Sequence, residues 1–158
     1  MIDRAHLGRR YGPYRYVAGV EEIRDFAATV VGGMPGRVFA EQPAEAPHPY
    51  FVDEGAAAAS RHQGLIAPPM FCVRFAMQPF AHACADPALG IDLVKLLHGE
   101  QAFAYGDPVR PGDVLETTGE IVELREKAGM DFLTVRTVTT NQHGRLVVEG
   151  TWKAVVRP

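Results

Sequence analysis

The sequence is poor in the residues that would mark a stapled, membrane-spanning or nucleic-acid-binding chain. It has two cysteines in 158 residues, Cys72 and Cys84. They form no Cys-x-x-Cys pair and no Cys/His cluster, so neither a disulfide framework nor a zinc site is expected. Both stand among alanine and phenylalanine and read as buried thiols, which suits a reducing, cytoplasmic setting. Basic excess is missing too. Sixteen Lys and Arg against nineteen Asp and Glu leave a net charge of −3, the wrong sign for a duplex-binding surface, so nucleic acid is not an expected partner. No uncharged stretch approaches the roughly 20 residues of a membrane span; Phe75–Ala85 is free of charge but contains Pro79 and His82. The opening Met1-Ile2-Asp3-Arg4 has no apolar core and no cleavage-site pattern, so no export signal is expected. Repeats, linkers and low-complexity stretches are absent. Residues 1–158 are therefore expected to form a single domain, long enough to bury about two thirds of its unfolded surface without a staple.

What is present changes period along the chain. Ile23, Phe26, Ala27, Val30 and Val31 make one apolar stripe, which predicts a helix over 20–31. Glu21 and Glu22 favour its first turn, and Gly32-Gly33 ends it. Residues 34–50 hold four prolines and no period, an irregular segment of the kind that lines pockets. A short helix is expected from Asp53, as N-cap, to Ser60, stopped by Gly64. After Pro68-Pro69 a second helix begins. It is apolar nearly all round, so it should be wrapped by other structure, and Pro79 should end or kink it. From about residue 94 the period becomes 2. Strands are expected over 97–105, 114–124, 132–140 and 146–156, joined by turns at Asp107-Pro108, Pro111-Gly112, Lys127-Ala128-Gly129 and Asn141–Gly144. The fold class is α+β, a curved antiparallel sheet wrapped around a central apolar helix.

Three stretches carry a family resemblance. They are Val20–Val31; Tyr50-Phe51-Val52-Asp53 through Gly64-Leu65-Ile66-Ala67-Pro68-Pro69-Met70-Phe71; and Leu97-His98-Gly99-Glu100-Gln101 followed by Pro111-Gly112-Asp113-Val114-Leu115. Together they resemble the MaoC-like hydratase/dehydratase family of the hot-dog fold, closest to its N-terminal-type dehydratase domain. The resemblance implies hydration or dehydration of a (3R)-hydroxyacyl thioester carried on CoA or acyl carrier protein, with no cofactor. In active members an Asp-x-Asn-Pro-x-His motif supplies a two-group acid/base device. A backbone N–H at the start of the central helix polarises the thioester carbonyl.

Against that pattern, anchored on Asp53, the family's catalytic His falls on Phe51 and its catalytic Asp on Ala46. His48 takes the place of the Asn. The oxyanion N–H falls on Pro69, which has none. The resemblance therefore implies an acyl pocket walled by Phe51, Pro69, Met70, Phe71 and Phe75, with Arg74 available to a phosphate or carboxylate, and without a catalyst. It further implies a partner: a catalytic MaoC-like subunit in a heterodimer, or a second copy. Remaining candidates for chemistry are His48 with Asp53, as a relocated pair, and His98 with Glu100, two apart on a strand and so on one face. The bland alternatives are a solvent-facing His48, Asp53 as a helix cap, a hydrogen-bonded His98–Glu100 pair at a dimer seam, and Arg74 in a salt bridge at the helix end. His62, His82 and His143 are expected in solvent. Two other functions stay open: an active homodimeric hydratase or thioesterase with relocated residues, and an acyl-CoA binding module without chemistry.

Overall fold

The computed structural model describes residues 2–30 and 46–158. Most of the proline-rich stretch, and the last residue of the first predicted helix, lie outside the described residues. The described chain divides into two compact units, one of Met1–Tyr16, Cys72–Asp107 and Leu115–Pro158, the other of Val17–Phe71 and Pro108–Val114.

The first unit is built on a sheet. Its strands are β1 (Arg10–Val17), β2 (Leu96–Tyr105), β3 (Val114–Lys127), β4 (Met130–Thr140) and β5 (Leu146–Val156), in the order β1-β3-β4-β5-β2. The pairs β3–β4, β4–β5 and β5–β2 are antiparallel. Alternation fixes which face is apolar. Leu133, Val135, Thr137 and Thr139 of β4 are buried, as are Val148, Trp152 and Ala154 of β5. The opposite face carries cross-strand ion pairs: Lys153 Nζ to Glu100 at 2.7 Å, Arg136 to Glu149 at 2.6 Å and Arg10 to Glu120 at 3.0 Å.

After a 3-10 turn at Pro69–Cys72 come α4 (Val73–Ala76) and α5 (Gln78–Ala85). α4 packs on β4 and β5, and α5 on β4. Phe80 stacks on Trp152 with ring centroids 5.8 Å apart, and Phe103 meets Trp152 edge-on at 5.2 Å. Two glycines let the layers close. A Cβ at Gly119 would collide with Pro79, and one at Gly150 would lie 2.6 Å from Trp152 Nε1. The buried threonine hydroxyls are satisfied, since burying one without a partner is costly. Thr117 and Thr139 bond each other at 2.8 Å, and Trp152 Nε1 donates to Thr137 Oγ1 at 3.0 Å. This curved sheet with its helix is the hot-dog fold, and the α+β expectation holds.

Two expectations need correction. The segment before residue 20 contains a strand, β1, that the sequence pattern does not assign; Gly12 and Pro13 interrupt its tyrosines, and proline is tolerated there because β1 is an outermost strand. The central helix is interrupted beside Pro79, as expected: it breaks at Met77 and restarts with Pro79 in the first turn of α5, where a missing N–H leaves no bond unmade. It is not, however, wrapped on all sides. Cys72, Phe75, Ala76, Pro79, Phe80, Ala83 and Cys84 are buried, while Arg74, Met77, Ala81 and His82 are exposed. β1 reaches across part of that outer side: Tyr14 stacks on His82 at 4.5 Å and Tyr16 lies 5.6 Å from the Phe75 ring.

In the second unit, α1 (Val20–Val30) buries Ile23 and Ala27, and Phe26 meets Phe71 edge-on at 5.5 Å. Two short helices follow, α2 (Pro49–Val52) and α3 (Glu54–Ala58).

Candidate functional site

The second unit holds the segment where a MaoC-like chain would keep its acid and base. His48 is the N-cap of α2, and its Nδ1 accepts from the Tyr50 N–H at 3.3 Å. The imidazole also touches the rings of Tyr50 (centroids 4.4 Å) and Phe51 (5.7 Å). Asp53 closes α2 and opens α3; its Oδ1 accepts from the Ala56 N–H at 2.9 Å. Both side chains are thus spent on helix ends, each accepting from a backbone amide in the manner that N-terminal N–H groups require. Between them stand Pro49, Tyr50, Phe51 and Val52, with neither a carboxyl nor an imidazole among them.

The chain then runs through a turn to the apolar segment. Ser60 Oγ accepts from the His62 N–H at 3.0 Å. Gln63 has φ of 56° and Gly64 of 153°, so the chain reverses through the left-handed region that glycine tolerates. Leu65, Ile66 and Ala67 are buried. Their backbone is strung between two neighbours: Ile66 N–H donates to Tyr50 O at 3.1 Å and Ala67 N–H to Val109 O at 2.8 Å. Pro69 starts the following 3-10 turn without an N–H to offer, and two residues on the Phe71 N–H donates to Pro68 O at 2.9 Å. Met70 is 45% exposed and Phe71 fully buried.

The other candidates lie in the sheet unit. Phe75 is buried in its core. Arg74 Nε donates to the Tyr16 hydroxyl at 3.2 Å. His98 and Glu100 do not share a face, which corrects the expectation drawn from their spacing. The β2–β5 register shifts between them, with His98 opposite Ala154 and Glu100 opposite Lys153. Gly99 is the extra residue of this bulge, and a Cβ there would meet Val155 Cγ2 at 3.1 Å. Bulges re-aim side chains. Here His98 turns onto Phe80 and Trp152, at 5.5 and 5.9 Å, while Glu100 turns to Lys153.

Sequence reasoning missed a second ring of this region. Tyr50 stands between His48 and His62, 5.8 Å from the latter. His62 is half-buried rather than in solvent, whereas His82 and His143 are exposed as expected. Arg110 Nη2 donates to the His62 carbonyl at 2.7 Å. A separation of 48 residues leaves no local signal for that contact.

Elsewhere, burial pushes the Cys72 and Cys84 thiols up to about 11, which leaves them unreactive near neutral pH. Among the described residues no group of three or more His, Cys, Asp or Glu could hold a metal, and no helix is long and apolar enough to cross a membrane.

Comparison with known proteins agrees with the geometry. The family model of the FAS1-like dehydratase domain region matches residues 5–150. A UPF0336 protein of Streptomyces griseus is 35% identical over 99% of this chain and 95% of its own length. One of Saccharopolyspora erythraea is 34% identical over 92% of this chain and 85% of its own. Among solved structures, the (3R)-hydroxyacyl-ACP dehydratase complex HadBC of Mycobacterium tuberculosis superposes with a TM-score of 0.74 at 26% identity, covering 95% of this chain and 96% of that one. A MaoC-like dehydratase superposes with a TM-score of 0.77 at 26% identity over 97% of this chain, which spans only 42% of that longer chain. The chain belongs to the FAS1-like dehydratase-region family, and its fold is that of the MaoC-like hydratases.

Proposed function

We propose that this protein is the non-catalytic, acyl-thioester-binding subunit of a (3R)-hydroxyacyl dehydratase. The observation that carries the reading is the employment of His48 and Asp53 as caps at the two ends of α2, with Phe51 and Ala46 where the family keeps its base and acid. Proton transfer needs two titratable groups within reach of one substrate. In this segment both polar side chains are engaged with backbone amides, and Pro69 removes the amide that would polarise a carbonyl. The ligand is an acyl group carried as a thioester on CoA or acyl carrier protein, held against Phe51 and Met70; Phe71, fully buried, is not among its contacts. The partner is a MaoC-like hot-dog chain that retains Asp-x-Asn-Pro-x-His. β2 lies outermost in the sheet, and its outer backbone groups suit addition of a partner's strand. The HadBC complex, a dehydratase of the same fold, supports a two-chain arrangement.

The purified chain, offered crotonyl-CoA and longer enoyl-CoA thioesters, is expected to bind them in calorimetry without converting them. Steady turnover by the chain alone that disappears in His48→Ala or His98→Ala overturns the reading in favour of relocated catalytic residues. Absence of any thioester binding overturns it as well.

A further inference from the structure

We propose that Arg110 is the positioning residue of this site: its guanidinium clamps the turn before Leu65–Pro69 and so fixes against α2 the segment that leads into Met70, a proposed ligand contact. The inference rests on the functional reading above. Leu65–Pro69 belongs to no helix or strand before Pro69, so its place depends on a few bonds. Ala67 N–H is held by Val109 O and Ile66 N–H by Tyr50 O, which ties the segment to the 108–114 loop on one side and to α2 on the other. Arg110 follows Val109 directly and closes the same loop onto the turn through its 2.7 Å bond to the His62 carbonyl. Bonds from a charged donor are stronger than neutral ones. The loop that carries Arg110 is itself fixed. The buried Asp113 accepts from the Arg110 N–H at 2.7 Å, the Asp113 N–H returns to Arg110 O at 3.1 Å, and Ala18 bonds Asp113 O and Gly112 N–H. The guanidinium also faces the bare Cα of Gly64, where a Cβ would come 3.6 Å from Nη1. One side chain thereby links a braced loop to a turn built from left-handed residues.

The test compares Arg110→Met, which has no N–H to donate, and Arg110→Lys with the wild-type full chain. Loss of one such bond corresponds to about a tenfold change in a local opening equilibrium. Arg110→Met is expected to speed hydrogen exchange at the Ile66 and Ala67 amides about tenfold and to weaken crotonyl-CoA binding to a similar degree. The melting midpoint followed by Trp152 fluorescence is expected to stay within about 2 °C. Arg110→Lys, which can still donate to the His62 carbonyl, is expected to restore both quantities most of the way. Unchanged exchange in Arg110→Met overturns the clamp. So does a parallel collapse of the Trp152 melt that Lys fails to rescue, since that marks a general stability effect. If the wild type binds no acyl thioester, the functional reading fails on its own, and the exchange rates still decide the clamp.

Discussion

Trp152 shows how single residues hold the sheet unit together. It is fully buried, stacked on Phe80, crossed by Phe103, and bonded to Thr137. Removing the hydroxyl alone leaves a buried indole N–H without its acceptor. Thr137→Val is therefore expected to lower stability by about 1–3 kcal/mol in urea unfolding, the cost of an unsatisfied buried donor; a change below about 0.5 kcal/mol contradicts that account. The two thiols make a pH prediction. Burial raises Cys72 and Cys84 to about 11, so in the unfolded chain they ionise first. Between about pH 9 and 11 the unfolded state binds fewer protons than the folded state, and stability falls as pH rises; below pH 9 they contribute no slope. The urea midpoint is expected to fall from pH 8 to pH 10.5, and by less in Cys72→Ala/Cys84→Ala, where this part of the slope is gone. An identical fall in the double variant counts against buried thiols as its source. Near the ends of β1 and α5, Tyr11 is pushed up to about 12, chiefly by burial and by its bond to Asp86, and adds to the same alkaline loss at higher pH.

Elements that were legible in the sequence owe it to local chemistry. Asp53 as a cap, Gly64 as a stop and the β4 and β5 strands follow from side-chain hydrogen bonding, backbone freedom and alternation, all of which act over a few residues. What was not legible depends on a neighbour in space. The tyrosines of β1 fit a strand only once β3 is beside them. The Gly99 bulge lies close against Val155 across the ladder, and the register shift there separates His98 from Glu100. For the site, His48 and Asp53 stood as a relocated reactive pair among the candidates; the Asp53 cap was legible, whereas the role of His48 as the cap of α2 appears only once that short helix is seen to precede α3. At this scale Gly119 gives a direct test of helix–sheet contact. Gly119→Ala forces a methyl group into Pro79. Overpacking of this kind typically costs about 1–3 kcal/mol, so the thermal midpoint is expected to drop by several degrees. An unchanged midpoint indicates that α5 can move off β3 without loss.

At the scale of the whole molecule, the proposed role makes this hot-dog chain one part of a larger assembly. Hydrogen bonding has consumed His48 and Asp53, the bulge has directed His98 onto an aromatic stack, and Glu100 is paired with Lys153. The proposed acyl-binding role and the proposed dependence on a catalytic partner belong to one reading, and they are tested together. The most direct measurement is steady-state enoyl-CoA hydration by this chain co-purified with a MaoC-like chain bearing Asp-x-Asn-Pro-x-His, comparing substitutions on each side. Replacing the motif's His in the partner by Ala is expected to abolish turnover by the complex, a loss of about 100-fold or more, while His48→Ala and His98→Ala in this chain leave kcat within about twofold. Loss of turnover on His48→Ala or His98→Ala, with activity surviving the partner's substitution, places the chemistry in this chain and contradicts the account.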